Sequence, residues 1–237
     1  GSSPLARPRW RFRWRGGLGG LGWRTTTAAA GAREARARGL LRAIAAHCRE
    51  DAALGRVSSA EQVEGGCGGG LAFDLRLEAP VGRLFAKVLL AEDEEASGPV
   101  AAGQRRHCCG DAVASLEGER AGLEALIDYA AESGCGDGDP VLGTFEVPAP
   151  LGLCRCAGAG AALLLPFVAL TRPEDFVAHG AAVGALHRRS QGQSEVHGFP
   201  CDTFVGLWRQ DNRQEGDWAM FFWAQRLQPL LLAAPRS

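Results

Sequence analysis

Lysine is almost absent from this chain. Lys87 is the only one, although lysine and arginine together number 26. With 33 glycines and abundant alanine, this reads as a bias across the whole sequence. Such a bias singles out the lysine that remains. A surface lysine exchanges easily for arginine, but a lysine used as a compact point charge does not. Methionine is also scarce: Met220 is the only one, and the chain begins at Gly1. The expectation is a fragment at both ends. Long apolar runs are missing, and none approaches the ~20 residues of a membrane-spanning helix. The net charge is only -1, so bulk charge points to no nucleic-acid and no membrane partner. None of the 8 cysteines forms a C-x-x-C pair, which argues against a zinc site. A secreted disulfide framework is not expected either. The cysteines read as reduced thiols of an intracellular compartment.

Acidic residues are absent from positions 1–33, which hold Arg7, Arg9, Arg11, Arg13, Arg15, Arg24 and Arg33. An arginine-rich, acid-free start has the composition of an organelle transit peptide. A disordered tail explains it equally well, and a nucleic-acid arm ranks below both. Either way the segment is expected to stand outside the fold. The localisation expected is cytoplasmic, or plastid or mitochondrial if 1–33 is a transit peptide.

The rest divides into two parts, 34–168 and 169–237. Leu40, Leu41, Ile44, Ala45 and Cys48 have helical spacing within 34–51. Strands are expected at 57–64, 71–78 and 84–90. In the second of these, Phe73, Leu75 and Leu77 alternate with Asp74, Arg76 and Glu78. Residues 92–110 read as a loop insertion. Asp111 is placed to cap a helix over 111–132. Short strands follow near 143–147, 151–156 and 161–168, then a helix over 173–189 capped by Thr171. Residues 190–216 read as polar loop, and 217–232 as an aromatic-rich helix interrupted near Pro229.

Three features together suggest chemistry. Gly65, Gly66, Gly68, Gly69 and Gly70 surround Cys67 between two strands. Such a turn lets backbone N–H groups approach phosphates, although alone it is as well explained as a flexible hairpin tip. It lacks the Gly-Lys-Ser/Thr of a Walker A loop. Lys87 follows on the next strand among apolar neighbours, where an ammonium needs an anionic partner. An outward-facing lysine on an edge strand is the plain alternative. Glu119 lies on the following helix, with Glu117 pointing to another face. A lone helix glutamate is usually just solvated. The order of glycine turn, strand lysine and helix glutamate is what raises all three, because that pair holds nucleotide phosphates in protein-kinase-like enzymes. Cys67 at the turn could be redox-sensitive, with a dimer through Cys67 as one consequence. An inert loop cysteine is the plainer reading. His187 reads as packed rather than catalytic. Among Trp218, Phe221, Phe222 and Trp223, most are expected in the core.

The chain resembles the fructosamine-3-kinase (ketosamine kinase) family. Phe85-Ala86-Lys87-Val88 looks like that family's nucleotide-lysine strand. Leu116-Glu117-Gly118-Glu119 with Leu123 and Leu126 looks like its F-E-G-E-x-x-x-L-x-x-L helix, and Leu186-His187-Arg188 like the end of another. The most specific block runs from Gly198-Phe199 through Gly206, Gln210, Asn212, Asp217-Trp218, Phe221-Phe222 and Arg226-Leu227. The resemblance implies an α+β, protein-kinase-like fold, with a small antiparallel-sheet lobe and an incomplete helical lobe. It implies ATP and Mg2+ as cofactors, and phosphorylation of ribulosamine or fructosamine adducts on proteins, which permits deglycation. Glycated proteins or free ketosamines would be its partners. Gly66, Cys67, Gly68, Gly69, Lys87, Glu119, Pro166 and Val168 would meet the nucleotide, the last two through backbone groups of the hinge. Asp202, Asn212, Asp217 and Trp218 would shape the substrate side.

The chain departs from the family in several places. Residues 92–110 are longer than the family's connection. Pro166 stands where an acid is common in kinase-like hinges. Pro200 and Gln214 replace a histidine and a tryptophan. No H-G-D catalytic loop is present, so no catalytic residue or metal ligand is assigned, and residues 1–237 alone are expected to be inactive. The rival readings are an inactive nucleotide-binding protein and another small-molecule kinase, of the aminoglycoside or choline kinase kind.

Overall fold

The computed structural model describes residues 13–15, 28–63, 70–78, 81–91, 109–133, 147–169, 176–190, 192, 194–205 and 208–233. The first part is a sheet with a helix on each face. Strand β1 is Arg13–Arg15, helix α1 Ala28–Glu50, and β2 Arg56–Val63. Then come β3 Leu71–Glu78, β4 Arg83–Leu90, α2 Cys109–Ser133, β5 Gly152–Cys156 and β6 Gly160–Pro166. The sheet order is β1-β2-β3-β4-β6-β5, and every pairing is antiparallel. The expected α+β class holds.

Alternation decides which face each side chain joins. Phe73, Leu75 and Leu77 of β3 are buried with Leu84, Ala86 and Val88 of β4 and with Ala162 and Leu164 of β6. Against them α1 lays Leu40, Ile44 and Cys48, spaced to share one helix face. The opposite parity, Leu89, Ala161, Leu163 and Leu165, packs under Ala112 and Leu116 of α2. At the β3–β4 turn Gly82 has a φ of 74°, which glycine adopts without strain, and its carbonyl accepts from Leu77 N at 2.9 Å.

The second part holds α3 Phe176–Ser190, a two-stranded hairpin of β7 Thr203–Val205 and β8 Trp208–Gln210, α4 Trp218–Phe222 and α5 Gln228–Ala233. Between α4 and α5 the helix widens to a π turn over Trp223–Leu227, where Gln228 N–H bonds to Trp223 O, five residues back. The cause is Pro229, which has no N–H to give to the Gln225 carbonyl four residues earlier. That carbonyl accepts instead from Arg226 at 3.0 Å.

The structure corrects several expectations. The arginine-rich start does not stand wholly outside the fold. Arg13–Arg15 pairs with β2, and α1 begins at Ala28 rather than 34. Asp111 does not cap α2, which starts at Cys109. It lies in the first turn, where an acid suits the helix dipole. The stretch 190–216 contains the β7–β8 hairpin and a bridge between His197 and Glu215. His187 is exposed, not packed. Of the final helix's aromatics only Phe221 is buried, and Trp218, Phe222 and Trp223 are exposed. Asp217 lies on the side of the helix start, and its carboxylate accepts from Met220 N at 2.8 Å as an N-cap. The glycine turn with Cys67, most of the 92–110 insertion, 143–146 and Thr171 lie outside the described residues.

Candidate functional site

Lys87 sits on β4, between β3 and β6, opposite Ala72 on one side and Leu163 on the other. It is therefore on an inner strand, and the edge-strand alternative fails. Its parity, shared with Phe85 and Leu89, turns it toward α2. There Nζ donates to Glu119 Oε2 at 2.5 Å. The two side chains are 31% and 32% exposed, so the pair is half-buried and reachable. A pair this exposed adds at most about 1 kcal/mol to stability. Its effect is positional: it fixes an ammonium on a rigid strand. Glu117, two residues earlier on α2, points elsewhere and accepts from Arg155 of β5. That split was legible in the sequence, because residues two apart on a helix diverge.

The segment expected to form the hinge lies at the end of β6. Pro166 pairs with Leu84, and Val168 is 52% exposed. Phe167 between them is held by a contact that sequence reasoning missed. Arg83, at the start of β4, lies 3.4 Å from the centre of the Phe167 ring. Its guanidinium is fixed by the buried Asp74 of β3, with Nε donating to Oδ1 at 2.8 Å and the terminal nitrogen to Oδ2 at 2.7 Å. A two-pronged hydrogen bond of this kind is what lets a carboxylate stay buried. The available signal was an aspartate amid strand apolars, with an arginine just across the following turn.

The signature block forms a network around Asn212, which is 4% exposed. Its Nδ2 donates to Cys201 O and to Thr203 Oγ1, both at 2.9 Å. Its Oδ1 accepts from Arg226, and its backbone N–H donates to Asp202 Oδ1 at 3.2 Å. Asp202 Oδ2 accepts from Arg209 Nε at 2.8 Å. Burial pushes the Asp202 carboxyl up, but the hydrogen bonds from Arg209 and from Asn212 N outweigh it and hold it below the usual range. Arg226 also donates to Asp211 O at 2.6 Å and stacks on Phe221, while Gln225 donates to Arg213 O at 2.8 Å. Adjacent residues rarely share a helix face, and the π turn brings both to the same loop.

Of the four substrate-side candidates, three are engaged within the protein: Asp202 and Asn212 in this network, Asp217 as a helix cap. Asn212 and Trp218 also line a cleft of about 460 Å³ with His197, Phe221, Arg226 and Gly122 of α2. Trp218 meets His197 edge-on at 5.4 Å. Among the described residues no group of three His, Cys, Asp or Glu could hold a metal ion.

Residues 141–237 match the fructosamine kinase family. No curated protein matches the chain. A solved structure of a candidate fructosamine-3-kinase from Haemophilus somnus 129PT is similar over 81% of this chain, at 17% identity and a TM-score of 0.54. Another, from Thermobifida fusca YX-ER1, is similar over 80% at 22% identity and a TM-score of 0.49. The chain spans about half their length, 54% and 52%. The matched span contains the block from Gly198 to Leu227 but not Lys87 or Glu119, whose pairing stands on its own geometry. Residues 141–237 are thus similar to the fructosamine kinase family, and the chain has an α+β, protein-kinase-like fold.

Proposed function

We propose that this chain provides the nucleotide side of an ATP-dependent ketosamine kinase. The observation that carries the reading is the Lys87–Glu119 pair: the chain's only lysine, on an inner strand, held at 2.5 Å by a helix carboxylate. Lys87 would bind the α- and β-phosphates, and Glu119 would keep its ammonium aimed at them. The hinge suits a base: Pro166 offers only its carbonyl, and Val168, being exposed, can offer its N–H. Arg83 and Phe167 would hold that backbone still. Gly66, Cys67, Gly68 and Gly69 would cover the phosphates. ATP, when bound, supplies the phosphoryl group, with Mg2+ as its charge partner; no residue here is assigned to the metal.

The acceptor we propose is the sugar hydroxyl of a ribulosamine or fructosamine, free or on a glycated protein, so that phosphorylation leads to deglycation. The match of residues 141–237 to the fructosamine kinase family supports this. The cleft beside Trp218 adds an aromatic face of the kind that stacks on sugars. Titration of the chain with a fluorescent ATP analogue tests the nucleotide half of the proposal. Lys87→Met should weaken binding about tenfold or more, the effect of losing a charge-assisted contact to phosphate. Equal affinity of the two proteins would refute it.

A further inference from the structure

Gly118 lies between the two paired carboxylates of α2 and is buried. A β-carbon added there would stand 2.7 Å from Asp202 O and 3.3 Å from Thr203 Cα. Both obstacles are backbone and cannot swing away. One turn along the same helix, a β-carbon at Gly122 would have nothing within 4 Å. Glycine at 118 is therefore demanded by a close approach, while at 122 it is not.

The backbone that meets Gly118 is itself pinned. Asn212 holds Cys201 O and Thr203 Oγ1, Arg209 holds the Asp202 carboxylate, and Arg226 holds Asn212. A rigid ledge, residues 201–203, thus bears on α2 at the residue next to Glu119. We propose that Gly118 is a positioning residue: its contact with this ledge sets how closely α2 approaches, and so brings Glu119 to Lys87. The second part of the chain would then orient the lysine that we read as the nucleotide lysine, and the functional weight of the inference rests on that reading.

Because Lys87 is the only lysine, its amine can be followed directly without any nucleotide. The experiment is the rate at which an amine-selective acylating reagent labels Lys87 in the folded chain, read by peptide mass spectrometry. Glu119→Gln should raise that rate by up to about fivefold, in keeping with a half-exposed ion pair. Gly118→Ala should raise it to a similar level, and the double variant should go no further, since both act through one pair. Gly122→Ala should leave labelling unchanged. Wild-type labelling of folded Gly118→Ala, or a double variant that adds the two effects, would overturn the proposal even if the melting temperature falls. If Gly118→Ala does not fold, Arg209→Gln loosens the same ledge without a clash. A rise of about twofold then supports the proposal, in keeping with an exposed pair, and the wild-type rate overturns it. A chain that behaves this way yet binds no ATP would sink the proposed function and leave this inference standing.

Discussion

The two faces of the sheet are built from the same strands yet differ in kind. Under α1, Leu40, Ile44, Cys48, Phe73, Leu75 and Leu84 form an apolar layer from which water is excluded. On the α2 face, the strands present Asp74, Arg83 and Lys87 beside a smaller apolar cluster. Each of these three has a partner: Asp74 with Arg83, Lys87 with Glu119. Alternation along β3 and β4 makes this division possible, because one strand serves both faces at once. The α1 face supplies stability, and the α2 face holds charged groups at fixed positions at little net gain in stability.

The sharpest way to break this comparison is to cut into each face in turn. Leu40→Ala, at a fully buried position, should cost about 2–5 kcal/mol in chemical denaturation. Nucleotide affinity measured below the transition should stay within about twofold of the parent. Lys87→Met should do the reverse, with a stability change under about 1 kcal/mol. If Leu40→Ala lowers affinity as much as Lys87→Met does, the faces are not separate.

A smaller effect sharpens the role of the second part of the chain. The Asp202 carboxyl is held below its ordinary value, so its stabilisation is fully present above about pH 4. It fades as pH falls through the lowered folded value. Stability of the parent and of Asp202→Asn, compared from pH 7 downward, should differ by a constant amount and then converge below about pH 4. A gap that stays constant into acid would remove Asp202 from the ledge.

Much of the α1 face was legible in the sequence. The strand at 71–78 follows from its alternation, and α1 from the spacing of Leu40, Ile44 and Cys48. Lys87 stood out through scarcity, and Glu119 through its place on the next helix. What escaped was local or depended on distant partners. Strands β7 and β8 have three residues each, too short for a period to register. Arg13-Trp14-Arg15 does carry a period of two, but composition hid it behind the look of a charged tail. The role of Asn212 could not be read from spacing, because its partners at Cys201, Thr203 and Arg226 converge only after folding. The exposure of Trp218, Phe222 and Trp223 ran against the usual tendency of aromatics to be buried.

The central claim is that Lys87 holds the phosphates of ATP, and the lone lysine allows one direct test. Acylation of Lys87 by an amine-selective reagent would be timed with increasing ATP. The account predicts saturable protection that ATP confers and adenosine does not, and that Glu119→Gln weakens. Labelling of Lys87 at the same rate with and without saturating ATP would contradict it.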